Sequence, residues 1–195
     1  MDEALAIPPF PLLTWDEYSW AGEIRLPSWA GFQSRRGPYA SVSDESPSDG
    51  TARLTVDAEA KAPPTPEQAA AFQHLLDNEA AVAEAVARAL LDYYPGEREA
   101  YLDGYDLEES DEVPEITDMA GLRSLVGLGS VHVLSLAQDG VACIGFEFGC
   151  VWDAEHGAGV MTHRGRVIAT GQADCSFVEW MARRGLEKLQ RQARR

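Results

Sequence analysis

The sequence predicts an α+β fold: a mostly antiparallel sheet with a C-terminal β-meander, packed on one long helix, plus a C-terminal helix. Three observations carry this expectation. Apolar residues recur at helical spacing from Phe72 to Tyr94, behind a strong start signal at Thr65. The last third alternates apolar and polar residues around an Asp-Gly pair and a lone glycine, the mark of short antiparallel strands. At 195 residues and 45% hydrophobic content, the chain has enough apolar surface for one core.

Residues 1–17 are proline-rich and without periodicity, and read as an extended N-terminal arm; 18–182 read as a single domain. WAGEIRLPSW (20–29) reads as a strand that ends near Pro27. SDESPSDG (43–50) reads as a loop, and TARLTVDA (51–58) as a second strand with Leu54 and Val56 out of phase with Thr55. Thr65-Pro66-Glu67-Gln68 combines an N-cap, a proline at the first helical position and a capping-box glutamine. The stripe Phe72, Leu75, Leu76, Val82, Val86, Leu90, Tyr93, Tyr94 then predicts one helix over 66–94, stopped by Pro95-Gly96. MAGLRSLVGL (119–128) suits one or two helical turns. VHVLSLA (131–137) and VACIGFEFGCVW (141–152) form a hairpin through Asp139-Gly140, and GVMTHR (159–164) and RVIAT (166–170) pivot on Gly165. A last helix is expected from Ser176, with Glu179 completing a capping box and Phe177, Trp180, Met181 and Leu189 facing the body. Residues 183–195 read as a basic helix end or tail.

Charge narrows the function. The net charge is -16, and since the last thirteen residues carry +5, the first 182 carry about -21. Such a body repels phosphates, which argues against nucleic acid and for a basic protein partner. Six carboxylates crowd one stretch: Asp103, Asp106, Glu108, Glu109, Asp111 and Glu112. The EF-hand order of ligands and glycine is absent there, so the choice lies between a solvated loop and a contact surface for that partner. No run of apolar residues is long enough to span a membrane, and the first residues lack the basic start of a signal peptide, so a cytoplasmic location is expected. Three cysteines without framework spacing fit a reducing compartment.

The stretch GFEFGCVWDAEHGAGV (145–160) concentrates the reactive residue types. Period two puts Ile144, Phe146, Phe148, Cys150 and Trp152 on one buried face, and Glu147 on the other between Gly145 and Gly149. Glycines at such positions admit something bulky against the backbone, a side chain or a ligand. Asp153-Ala154-Glu155-His156-Gly157 is the turn, with Asp153 and His156 expected to fix it by hydrogen bonds. A buried-phase Cys150 argues against a thiol nucleophile. A metal set of Asp153, Glu155, His156 and His163 is the alternative, although neighbours 155 and 156 point apart and no ligand spacing supports it. No phosphate loop, dinucleotide fingerprint or nucleophile elbow is present, so no cofactor is expected.

These residues carry a resemblance. Cys150, Trp152, Asp153, Glu155, His156, Gly157, Gly159 and Val160, then Ala173, Asp174, Ser176 and Phe177, match C-x-W-D-x-E-H-G-x-G-V, a short hairpin, and A-D-x-S-F. The chain thereby resembles an uncharacterised bacterial domain family of unknown function, the one numbered six-nine-eight-five, over about residues 20–180. The resemblance implies no activity. The occurrence of such domains near polymorphic toxin loci implies an immunity or interaction role. The expectation is therefore an acidic, immunity-like binding domain. A metal-assisted hydrolase at the Asp153–His156 turn and a structural or regulatory domain are the alternatives.

Overall fold

The computed structural model describes residues 3–194. An eight-stranded sheet forms the centre, and the fold is α+β as expected. In spatial order its strands are β1 (Ala4–Leu5), β2 (Leu13–Trp15), β3 (Ser19–Arg25), β6 (Thr51–Asp57), β7 (Val126–Gln138), β8 (Val141–Cys150), β9 (Ala158–His163) and β10 (Arg166–Gly171). Every neighbouring pair is antiparallel except β6–β7, which is parallel. Parallel neighbours need a crossover, and here it holds α1 (Pro66–Asp77), α2 (Glu79–Gly104) and α3 (Met119–Arg123).

The helical region departs from the sequence reading. The capping box forms, with the Gln68 backbone N–H donating to Thr65 Oγ1 at 3.2 Å and the Thr65 N–H donating to Gln68 Oε1 at 2.8 Å. The buried Gln68 amide also donates to the Asp57 and Val133 carbonyls, stitching the helix start onto β6 and β7. The single helix expected over 66–94 is instead two, broken at Asn78, and the second runs through Pro95 to Gly104. Contacts beyond the proline sustain it. The Tyr94 hydroxyl donates to the Pro114 carbonyl, Arg98 Nε donates to the Val113 carbonyl, and Leu102 is buried. Of the expected stripe, Leu76 is exposed and Tyr93 half-buried; the other six side chains enter the core.

Two further corrections concern short elements. Residues 43–50, expected as a loop, largely belong to β5 (Val42–Pro47), which pairs with β4 (Gln33–Arg36) in a separate ribbon. The final helix, α4 (Glu179–Ala193), starts three residues later than expected and lacks the capping box. Ser176 sits in a 3-10 turn, Ala173–Ser176, and its hydroxyl donates to the Ala173 carbonyl at 2.6 Å, while Glu179 pairs with Arg183. The buried face of α4 is Ala182, Gly185 and Leu186; Phe177 and Trp180 are exposed. Gly185 explains the rotated face, because a Cβ there would stand 2.7 Å from the Ile168 carbonyl oxygen.

The two hairpin turns are as read from the sequence. Asp139 and Gly140 have φ of 52° and 78°, and Arg164 and Gly165 have 50° and 70°, the double left-handed turn that matches strand twist. The period-two stripe on β8 is also as read. Ile144, Phe146, Phe148, Cys150 and Trp152 all join the main core with α1 and α2.

Candidate functional site

The sheet has two faces. On the first, α1 and α2 seal an apolar core. The second face is built differently, starting from its glycines. A Cβ on Gly145 would meet the Ser176 carbonyl oxygen at 1.6 Å, one on Gly149 the Ala40 carbonyl oxygen at 2.0 Å, and one on Gly127 the Gln33 carbonyl oxygen at 2.3 Å. What approaches these glycines is therefore the chain itself: the β4 ribbon, the loop at 37–40, and the segment 172–177. α4 covers Leu134, Cys143 and Met161 farther along. These covers leave β3, β6 and the adjoining part of β7 and β8 open.

The opening is a trough of about 820 Å³. Strand register places its floor. β6 contributes Arg53, Thr55 and Asp57, β7 contributes Ser130 and His132, and β8 contributes Glu147, with Thr55 opposite His132 and Ser130 opposite Glu147. A register shift between Leu128 and Ser130 brings Ser130 opposite Glu147. Thr55 Oγ1 lies 2.7 Å from His132 Nδ1, and His132 Nε2 lies 2.8 Å from Glu147 Oε2. An ionised Glu147 can only accept, so Nε2–H donates to it, and on a neutral ring Nδ1 then accepts a hydrogen bond from the Thr55 hydroxyl. Both ring nitrogens are thus engaged within the protein.

Carboxylates surround this chain of contacts. Glu147 is 7% exposed, and among the described residues its Oε1 has no hydrogen-bond partner. Burial raises the Asp57 carboxyl above its ordinary value, against the lowering effects of the Ser135 N–H bond and of His132. Arg53 pairs with Asp16 at the trough's outer end, and Glu23 stands opposite Arg53 on β3. The lip is aromatic: Tyr18, Tyr39 and Phe177 are all exposed. The Phe177 ring meets His132 edge-on at 5.4 Å and faces Tyr39 at 6.5 Å. Tyr39 and Ala40 both sit at positive φ, 52° and 49°, a conformation that costs a non-glycine residue free energy and clusters at functional sites.

The family-like residues at 150–177 reach this trough through Phe177. Asp153 Oδ1 accepts from the His156 backbone N–H and lies 3.0 Å from His156 Nδ1, while its Oδ2 accepts from Gln172. The His156 carbonyl accepts from the Ala173 N–H. Gly157 has φ of 62°, and a Cβ on Gly159 would meet the Gln172 and Ala173 carbonyl oxygens within 2.8 Å. The turn therefore grips the 172–177 segment and sets Phe177 against His132. Cys150 lies in the core, and burial pushes its thiol up to about 12, so it stays protonated at neutral pH. Trp152 packs on Tyr94 at 5.0 Å, with its Nε1 buried and, among the described residues, without a hydrogen-bond partner.

The alternative metal set is not assembled. Glu155 is exposed at the turn, whereas His163 ends β9, about 17 Å along the strand at ~3.3 Å per residue, against the Gln138 and Val141 carbonyls. Among the described residues no three His, Cys, Asp or Glu side chains are grouped to hold a metal ion, and no helix is long and apolar enough to cross a membrane. The six carboxylates from Asp103 to Glu112 are all exposed, and Tyr101 donates to Glu112 at 2.7 Å.

Fold and site define the class: an α+β protein whose single large sheet is sealed on one face and carries a polar trough on the other. The chain belongs to the family described as Domain of unknown function (DUF6985), which matches residues 20–178. No curated protein and no solved structure matches it.

Proposed function

We propose that the protein binds a basic protein partner through its acidic surface, as an immunity protein does when it masks a toxin. One observation carries this reading: the carboxylates Asp103, Asp106, Glu108, Glu109, Asp111 and Glu112, at the last turn of α2 and in the loop after it, are all exposed, yet that stretch is braced at both ends. The Leu107 N–H donates to the Leu102 carbonyl, Val113 is buried, and Tyr94 and Arg98 hold residues 113 and 114. A braced loop loses little conformational entropy on binding, and a net charge of -16 attracts a basic partner over a distance.

The test is association kinetics with a basic protein encoded by a neighbouring gene. The association rate falls as salt rises to physiological strength, where screening shortens the field to about 8 Å. Replacing Asp103, Asp106, Glu108 and Glu109 together by their amides lowers the association rate more than it raises the dissociation rate. Kinetics indifferent to salt and to this replacement contradict the reading.

A further inference from the structure

We propose that the trough beside His132 is a specific docking site for a cationic side chain, arginine or lysine, presented by the basic partner. This rests on the reading that the partner is basic, but it concerns a different part of the surface. The acidic stretch spans the last turn of α2 and the loop after it, whereas the trough lies on the sheet face turned away from α1 and α2.

Three independent features converge. The first is the buried Glu147, which uses one oxygen on His132 and has the other without a partner among the described residues, in a side chain that lines the cavity. The unused oxygen is reached by solvent through the trough, and a guanidinium or ammonium entering there would fill its acceptor capacity with a charge-assisted bond. The second is the distribution of charge in the lining. Four carboxylates, Asp16, Glu23, Asp57 and Glu147, stand against three arginines, of which Arg53 is already paired with Asp16. Arg35 and Arg36 stand on the opposite, β4 side of the trough, where the Arg35 Nε donates to Gln33 and its stem crosses Gly127 and Gly149. The third is the aromatic lip. Tyr18, Tyr39 and Phe177 are exposed around one opening, and aromatic faces attract cations that enter between them. His132 does not compete for the role, because both its nitrogens are engaged.

The probe is the peptide acetyl-Gly-Arg-Gly-amide, titrated into the full chain and followed by NMR on the His132 imidazole and the Tyr39 and Phe177 rings. Its control has citrulline for arginine, nearly the same shape without the charge. Saturable shifts at those three residues are expected, at least tenfold weaker for citrulline and at least tenfold weaker in Glu147→Gln. Tyr39→Ala, a change at an exposed lip residue, is expected to weaken binding about threefold, and it keeps the test decisive should Glu147→Gln fail to fold. The fourfold amide variant of the acidic loop leaves this binding within twofold, so failure of the trough and failure of the loop are read separately. Equal binding of the citrulline peptide, binding untouched by Tyr39→Ala, or stronger shifts at these residues with acetate than with the arginine peptide would each overturn the proposal.

Discussion

The two faces of the central sheet are made by the same strands and solve opposite problems. On the helix-covered face, β8 presents Ile144, Phe146, Phe148 and Cys150 in succession, each buried against α1, α2 and the segments beside them. On the other face the same strand presents Cys143, Gly145, Glu147 and Gly149, small residues that let backbone lie flat and one buried carboxylate that pairs with His132 in the trough. Free energy of folding is drawn from the first face, at about 1.5–3 kcal/mol for each large apolar side chain buried. The second face contributes geometry: it admits a clamp, a ribbon and a helix, and leaves a trough between them. One strand thus encodes stability and recognition in alternate residues.

The largest effect expected from breaking this division is Phe148→Ala. The ring is fully buried against Trp29 at 4.9 Å, and its loss should lower stability by about 3–5 kcal/mol in denaturant unfolding. The same variant should expose Cys150 to a thiol reagent that the folded wild type resists, since burial holds that thiol protonated at neutral pH. Fast labelling of Cys150 in the native wild-type protein would place it on the wrong face.

Gly145→Ala probes the second face. The added methyl group collides with the Ser176 carbonyl, so the 172–177 segment must lift. A loss of about 1–3 kcal/mol is expected, with a change in the environments of His132 and Phe177 visible by NMR. Unchanged His132 signals would mean that the segment does not position the trough wall.

Much of the first face was legible because its signals are local. The capping box at Thr65–Gln68, the turns at Asp139-Gly140 and Arg164-Gly165, and the alternation along β8 each depend on residues a few positions apart. Pro95 misled because the contacts that carry α2 past it, from Tyr94 and Arg98, lie in a loop fifteen to twenty residues onward. Phe177 and Trp180 are exposed rather than facing the body, while Met181 and Leu189 are half-buried, because a glycine, not the apolar stripe, decides the closest approach of α4 to β10. The trough was invisible for a deeper reason. Thr55 and His132 are 77 positions apart and meet only through the parallel pairing of β6 with β7, and no periodicity announces a crossover of that length. The sequence did mark Glu147 as facing away from the core and Gly145 and Gly149 as sites of close approach. That was the available signal; the denser cluster of reactive residue types lies in the adjacent turn, whose Asp153 and His156 hold the 172–177 segment.

The claim that the polar trough is kept for recognition rather than for stability has one direct measurement: denaturant unfolding of the double variant His132→Leu, Glu147→Met. If the pair does not carry the fold, replacing both members with apolar side chains leaves stability within about 1 kcal/mol of wild type, or raises it, because a buried pair's desolvation cost offsets its attraction. A loss of about 3 kcal/mol or more with an unchanged denaturant slope would contradict the account, and would make the Thr55–His132–Glu147 chain a structural tie between β6, β7 and β8.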